Sequence, residues 1–240
     1  ALACLERFGE RLRDFSSTEV AAVGTNTLRM ARNARSFLDL AEDTLGHSIS
    51  VISGREEARL IYLGVSHSLS ATENKDARRF VMDIGGGSTE LIIGQGYDAL
   101  HTESLRMGCV SSTLRFFPNG SLEKNCWKEA ITAAHLELMP IQKSYRDIGW
   151  EVANGASGTI KTVEKVIQQA GLAPFGITLE QMYEIQARMI AAKSIDKLQL
   201  TGLSDDRKPI FAGGLAILIS AFEALQIKQM LVSEGALREG

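Results

Sequence analysis

Val81-Met82-Asp83-Ile84-Gly85-Gly86-Gly87-Ser88-Thr89-Glu90-Leu91-Ile92-Ile93-Gly94 places two apolar, β-rich stretches on either side of three consecutive glycines. Each stretch has a carboxylate at its inner end, Asp83 before the glycines and Glu90 after them. A plain two-residue hairpin turn needs neither the third glycine nor an acid on both sides. Glycines free the backbone for positive φ and let a ligand approach the peptide N–H groups closely. Successive N–H groups turned into one concavity form a nest for an anion, most often phosphate. Gly85, Gly86 and Gly87, with the hydroxyls of Ser88 and Thr89, are therefore the expected phosphate-binding residues. Asp83 and Glu90 are the expected partners of a hydrated Mg²⁺ held against that phosphate.

Outward from this unit the chain alternates between helix and strand. Upstream, apolar residues at 5, 8, 12 and 15 form a helical stripe. A short apolar strand follows at 20–23 and ends in Gly24-Thr25-Asn26-Thr27. The pattern then predicts one helix over 29–45 stopped by Gly46, a strand at 49–52 closed by Ser53-Gly54, and a helix over 56–68. The polar, aperiodic stretch 70–78 marks a domain boundary between segments 1–69 and 78–240.

Downstream, a third strand is expected near 100–105, with helices at 110–117 and 122–144, the second interrupted or bent at Pro140. A strand at 152–154 runs into Gly155-Ala156-Ser157-Gly158-Thr159 and a helix at 160–170. Ile177-Thr178-Leu179-Glu180-Gln181 is a capping box with its staple residue, launching a helix to about 193. The stretch 211–225 is apolar nearly all round and should be a buried helix. A last strand at 229–233 turns at Gly235. The order is α/β, with mixed sheets because the first strands of the second segment are joined by tight turns.

Composition narrows the partners. A chain of 240 residues with 45% hydrophobic and 23% charged residues has the make-up of an ordinary globular protein. A net charge of −3 gives no support to nucleic acid as a partner. The longest apolar run, 213–221, is too short to span a membrane, and no signal peptide is visible. Cys4, Cys109 and Cys126 make no C-x-x-C pair and read as reduced thiols, so a cytoplasmic location is expected. The four histidines have no metal-ligand spacing.

Ligands of open α/β sheets bind outside the carboxyl ends of strands. Four such ends carry polar turns here, two in each segment, and a crevice between two domains would gather them. Glu57, just inside a helix after a strand end, is the candidate general base. Glu56 beside it points about 100° away and is read as complementing the helix dipole. Ser157 and Gly158 stand where a helix start would offer N–H groups to an anion. Arg29 and Arg207 are candidates to fork onto phosphate oxygens, although either residue type is common on a solvated surface. Cys109 reads as a small buried filler.

Across essentially all of its length the chain resembles the bacterial exopolyphosphatase and guanosine pentaphosphate phosphohydrolase family of the actin-like superfamily. The resemblance is carried by residues 24–29, 52–60, 83–90, 106–110, 155–161 and 235–240. It implies two ribonuclease-H-like domains facing a cleft, with mixed sheets and flanking helices and the first domain incomplete. It implies that Glu57 is the catalytic glutamate, that Asp83 and Glu90 are the acids near Mg²⁺, and that 85–89 is the second phosphate loop. It also implies that Arg29 and Arg207 face the substrate. Gly85-Gly86-Gly87 followed by Ser88-Thr89 looks more like the exopolyphosphatase branch. The expected activity is therefore release of the terminal phosphate from inorganic polyphosphate, the alternative substrate being guanosine pentaphosphate.

A non-catalytic module binding phosphate or an alarmone is a rival that has no need of Glu57. A sugar or acetate kinase of the same superfamily would need a phosphoacceptor site. A first phosphate loop of the form Asp-x-Gly-Ser-Asn-Ser is expected upstream of Ala1, and helical domains beyond Gly240. The opening helix has no capping residue before it, so the chain reads as a piece of a longer parent, with room for a homodimer of that parent and with impaired activity on its own.

Overall fold

The apolar stripe at 5, 8 and 12 forms α1 (Leu2–Leu12), the first element of a computed structural model that describes residues 1–69, 74 and 76–240. The described chain divides into two compact units, Ala1–Glu57 and Ala58–Gly240. In the first unit, β1 (Ala22–Gly24) is followed by α2 (Asn26–Met30), α3 (Ala34–Leu45) and β2 (Ile49–Val51). The single helix expected over 29–45 is thus two. Ala31 leaves the helical region (φ −69°, ψ 128°) and breaks it with neither glycine nor proline.

Gly46 ends α3 in the left-handed region (φ 77°), its N–H donating to the Glu42 carbonyl at 2.8 Å. The Glu42 carboxylate accepts the Ile49 N–H at 2.6 Å, so the end of α3 sets the start of β2. β1 and β2 pair in parallel, Ala22 opposite Ile49. α1 lies on α3, and a Cβ on Gly9 would come within 2.8 Å of the Thr44 carbonyl oxygen.

α4 (Gly54–His67) begins in the first unit and continues into the second. Ser53 caps it, the hydroxyl accepting the Glu56 N–H at 3.2 Å. From Ala58 onward its apolar face, Ala58, Ile61, Tyr62 and Val65, packs with Val81, Ile92 and Ala156. That packing explains why the division falls in the first turn of α4. Of the polar stretch 70–78, residues 70–73 and 75 lie outside the described residues.

The second unit is built on β3 (Arg79–Ile84), β4 (Thr89–Gln95) and β5 (Asp98–Leu105), followed by α5 (Cys109–Phe116) and α6 (Lys124–Ile148). Then come β6 (Val152–Gly155), α7 (Gly158–Gln169), α8 (Leu179–Ala192), α9 (Phe211–Leu225) and β7 (Leu231–Val232). The sheet order is β5-β4-β3-β6-β7. The first three strands are antiparallel, while β6 runs parallel to β3 and β7 parallel to β6. Three antiparallel strands extended by two parallel ones through helical crossovers make the mixed sheet of a ribonuclease-H-like fold.

Strand alternation sorts β3 between two layers. Phe80, Met82 and Ile84 enter the main core with the later helices, whereas Val81 faces α4. Every residue of α9 except Glu223 is buried, as its uniformly apolar sequence requires. The stretch Lys208–Leu225 is long and apolar enough to cross a membrane by composition, but it is mostly enclosed by the other helices, the pattern of a core helix.

Two local expectations met different outcomes. The capping box at Thr178 forms in full: its N–H donates to Gln181 Oε1 at 2.9 Å and its hydroxyl accepts the Gln181 N–H at 3.5 Å. Pro140, by contrast, does not interrupt α6, which is assigned as one helix from Lys124 to Ile148. The carbonyl that Pro140 leaves without an intrahelical donor belongs to Leu136, which is 60% exposed, so water can serve it.

Candidate active site

The glycine turn is fixed through its carbonyls. Ile84 pairs with Thr89, so residues 85–88 form the turn, closed by the Gly85 N–H on the Ser88 carbonyl at 2.9 Å. The Gly85 carbonyl accepts the Cys109 N–H at 2.8 Å. The Gly86 carbonyl accepts the N–H groups of Val110 at 3.0 Å and Ser111 at 3.1 Å. The first donors of α5, which lack partners within their own helix, are thereby satisfied by the turn. Gly108 permits this approach, since a Cβ there would stand 2.4 Å from the carbonyl carbon of Gly86 and the nitrogen of Gly87. Among the described residues no protein acceptor takes the N–H of Gly86 or Gly87.

The hydroxyl of Thr89 is engaged away from the cavity. Thr89 is fully buried and donates to the Met107 carbonyl at 2.7 Å, and Ser88 is also buried. Gly85 and Gly86 line a cavity of about 470 Å³, while Gly87, Ser88 and Thr89 do not.

The start of α7 faces the same cavity. Ser157 is its N-cap, the hydroxyl accepting the Ile160 N–H at 3.2 Å. Thr159 donates its hydroxyl to the Ile84 carbonyl at 3.1 Å, tying α7 to the end of β3 beside the turn. The N–H groups of Gly158 and Thr159 have no protein acceptor among the described residues. They sit at the positive end of the helix dipole, a setting that favours an anion. Arg207 lies across Gly158: a Cβ at that glycine would be 2.6 Å from Nη2. Asp206 stands 3.8 Å from Arg207 Nε, and a hydrogen bond from Ser204 holds the Asp206 carboxyl below its usual range.

The two helix starts are brought together by a glycine pair in α9. A Cβ on Gly213 would meet Thr113 Oγ1 at 2.5 Å, and one on Gly214 would meet Thr159 Cγ2 at 2.4 Å. These glycines escaped the sequence reading, although their position in an otherwise bulky apolar helix is the signal of close helix contact. Lys161, Glu234, Arg238 and Glu239 also line the cavity and were missed. Lys161 Nζ contacts Glu234 Oε2 at 2.9 Å. The Ala236 N–H holds the Glu239 carboxyl below its ordinary value. A slightly larger hollow of about 520 Å³, beside Arg146, Trp150 and Gln229, contains none of the expected residues.

Asp83 lines the cavity, directly opposite Glu90 in the β3–β4 pairing. Glu90 is 1% exposed and accepts the Ser104 hydroxyl at 2.8 Å. Two neighbouring carboxylates, one of them open to the cavity, suit Mg²⁺, which keeps several waters and takes one or two protein carboxylates together with substrate phosphate. Among the described residues no group of three or more acids, histidines or cysteines forms a complete protein cage.

In the first unit, Glu57 meets Arg29. The guanidinium Nη1 donates to Glu57 Oε2 at 2.8 Å and to the Ile52 carbonyl at 2.9 Å. Both side chains are largely shielded, 20% and 10% exposed. Arg29, expected on substrate, is thus seen holding the carboxylate of Glu57 and the end of β2.

A family model described as the Ppx/GppA phosphatase family matches residues 1–240. A guanosine-5'-triphosphate,3'-diphosphate pyrophosphatase of Pseudoalteromonas translucida (strain TAC 125) is 45% identical over 237 residues, covering 99% of this chain and 47% of that protein. A relative of the same name from Vibrio cholerae is 44% identical over the same shares. The chain thus spans about half the length of the curated relatives it matches. Among solved structures, an exopolyphosphatase from Cytophaga hutchinsonii shares the fold with a TM-score of 0.84 at 23% identity, over 99% of this chain and 78% of that one. The Aquifex aeolicus PPX-GPPA enzyme gives 0.76 at 25% identity, over 99% and 79%. The chain belongs to the Ppx/GppA phosphatase family.

Proposed function

We propose that the protein hydrolyses the terminal phosphate of guanosine 5'-triphosphate 3'-diphosphate. One observation carries the reading of the site: the glycine turn, the start of α7 and Arg207 open on one cavity with Asp83 at its wall. The choice of substrate rests on the name borne by the relatives at 42–45% identity. The exopolyphosphatase likeness, at 23% identity, speaks for the fold alone. The preference for inorganic polyphosphate expected from Gly85-Gly86-Gly87 is therefore the second reading. It rests on residues that any phosphate turn of this shape uses.

The chemistry follows from which groups meet charge. The N–H groups of Gly86, Gly158 and Thr159, with Arg207, take up negative charge on the transferring phosphoryl group, where stabilisation and positioning do most of the work. A water attacks phosphorus in line and loses its proton to a carboxylate base, the role for which Glu57 of the first unit is the candidate, although it is not among the residues that line the cavity. The new O–P bond forms as the bridging P–O bond breaks, and the electron pair leaves with the shortened phosphate chain. Arg29 holds the Glu57 carboxylate in one orientation. Asp83, backed by Glu90, would hold Mg²⁺, whose contribution is neutralisation of phosphate charge.

Phosphate release from guanosine 5'-triphosphate 3'-diphosphate and from long-chain polyphosphate, at matched concentrations of chain ends, tests the assignment. A kcat/KM at least about tenfold higher for the guanosine compound is expected, a preference of one well-made polar contact. The reverse preference would restore polyphosphate. Tight binding of either without turnover would show a binding module instead.

A further inference from the structure

Lys161, Arg207 and Arg238 are the cationic side chains that line the cavity among the described residues. Arg207, lying on Gly158, belongs to the phosphate pole at the start of α7. Lys161 stands three residues further along α7, about 4.5 Å down the helix axis. Its ammonium is held by Glu234, at 2.9 Å from Oε2 and 3.1 Å from the main-chain carbonyl. The Glu234 side chain is 91% exposed and that of Lys161 34%. An exposed pair of this kind contributes little and gives way easily. A multiply charged oxyanion can displace the Glu234 carboxylate into solvent and take its place on Lys161.

Arg238 reaches the same cavity from residues 233–240, a segment clamped against α4. A Cβ on Gly235 would lie 2.2 Å from the Gly64 carbonyl oxygen, and one on Gly240 would lie 1.8 Å from the Leu60 carbonyl oxygen. Ser233 and Ser68 share a hydrogen bond of 2.9 Å, and Glu239 accepts the Ala236 N–H at 2.8 Å. Arg238 is therefore carried on a fixed backbone. Val110, Ala156, Ile210 and Ala236 supply apolar wall in the same cavity.

We propose that Lys161 and Arg238 form a second anion subsite that receives the 3'-diphosphate of guanosine 5'-triphosphate 3'-diphosphate. The inference rests on the substrate reading given above. A linear polyphosphate needs cations strung out from its end, whereas a nucleoside phosphorylated at both 5' and 3' positions needs two anion-binding poles and apolar surface for the nucleoside. The lining of this cavity supplies both kinds of group: the glycine turn, α7 and Arg207 for one end of the ligand, Lys161 and Arg238 for the other, and the apolar residues for the nucleoside.

Steady-state phosphate release with guanosine 5'-triphosphate 3'-diphosphate and with GTP, which lacks the 3' phosphates, tests the subsite. Lys161→Ala and Arg238→Ala should each raise KM for the first substrate about tenfold more than for GTP, the loss of one charge-assisted contact. Lys161→Arg should recover most of the difference. Equal rises on both substrates would assign the two cations to the 5' chain, and no rise on either would remove them from binding; both results overturn the proposal. Calorimetry on the unaltered protein gives a readout independent of variant folding. Guanosine 5'-diphosphate 3'-diphosphate should bind more tightly than GDP, and equal affinities would overturn the subsite even if the guanosine substrate is turned over. Turnover of polyphosphate with neither guanosine compound would instead defeat the substrate reading, and the subsite with it.

Discussion

The two units differ sharply in how much they bury. In Ala1–Glu57, α1 has no buried residue, α3 buries only Ala41 and Leu45, and Val23 and Val51 of the two-stranded sheet are 43% and 39% exposed. In Ala58–Gly240 a five-stranded sheet carries α4 on one face and the later helices on the other, with α9 enclosed almost completely. The candidate base, Glu57, belongs to the thin unit, while the glycine turn is bolted into the dense one. Orientation of Glu57 therefore depends on an Arg29 contact and a cap, whereas the turn is held by packing as close as backbone geometry allows. Chemistry and stability should respond separately to substitution.

The largest expected effect tests the chemical half of this contrast. Glu57→Gln should lower turnover by about 10²–10⁴-fold, the usual contribution of a general base, while KM and the thermal midpoint move little. Wild-type turnover in that variant would take the base out of the first unit. Next comes stability. Leu215→Ala, in the buried α9, should cost about 2–5 kcal/mol in chemical denaturation, and Phe8→Ala, 51% exposed in α1, within about 0.5 kcal/mol. Comparable losses from the two would erase the distinction between the units.

Within the dense unit, two glycines sharpen the comparison further. Gly108→Ala must displace the turn, because its Cβ has backbone atoms at 2.4 Å, whereas a Cβ on Gly86 finds nothing nearer than Val110 Cγ2 at 3.6 Å. A shift of the phosphate cradle by about 1 Å should reduce turnover roughly 10²-fold in Gly108→Ala, with far less change in Gly86→Ala. Equal kinetics would mean that the turn is not part of the cradle. Asp83→Asn should raise the Mg²⁺ concentration needed for half-maximal rate severalfold, since an amide is a poorer partner for a hydrated dication; overlapping Mg²⁺ titrations would remove Asp83 from the metal site. Smallest of all, Thr178→Ala should cost about 1 kcal/mol through loss of the α8 cap, seen as a lower thermal midpoint with unchanged kinetics.

Local signals carried much of this fold. Three glycines between apolar stretches became the β3–β4 turn, the capping box became the start of α8, and the apolar run became buried α9. The break at Ala31 and the continuity of α6 through Pro140 were not legible. In the first case no residue forbids helix, and the chain is bent by what it must join. In the second a residue that usually disrupts helix is accommodated where the residue whose carbonyl loses its donor, Leu136, is exposed. The site divides the same way. Gly85, Gly86, Asp83, Ser157, Gly158 and Arg207 meet at one cavity; all but Arg207 were marked by their type and their place at a strand end or before a helix, and Arg207 by the family resemblance. Lys161 and Arg238 lay within the family-like segments 155–161 and 235–240 but were given no site role, because a lone lysine or arginine looks like solvated surface until the backbone places it.

What the sequence alone determined is therefore whatever depends on neighbours along the chain: periodicity, caps, a glycine turn between two strands, and the family motifs. Tertiary structure decided what depends on neighbours in space. The carbonyls of Gly85 and Gly86 are turned towards α5 only because Gly108 allows that helix to come so close, and Thr89 is withdrawn from the cavity because the Met107 carbonyl is within its reach. Arg29 is engaged with Glu57 because parallel pairing of β1 with β2 brings residues 28 positions apart into contact. A hydrogen bond depends on a few tenths of an ångström, and no spacing along the chain encodes that.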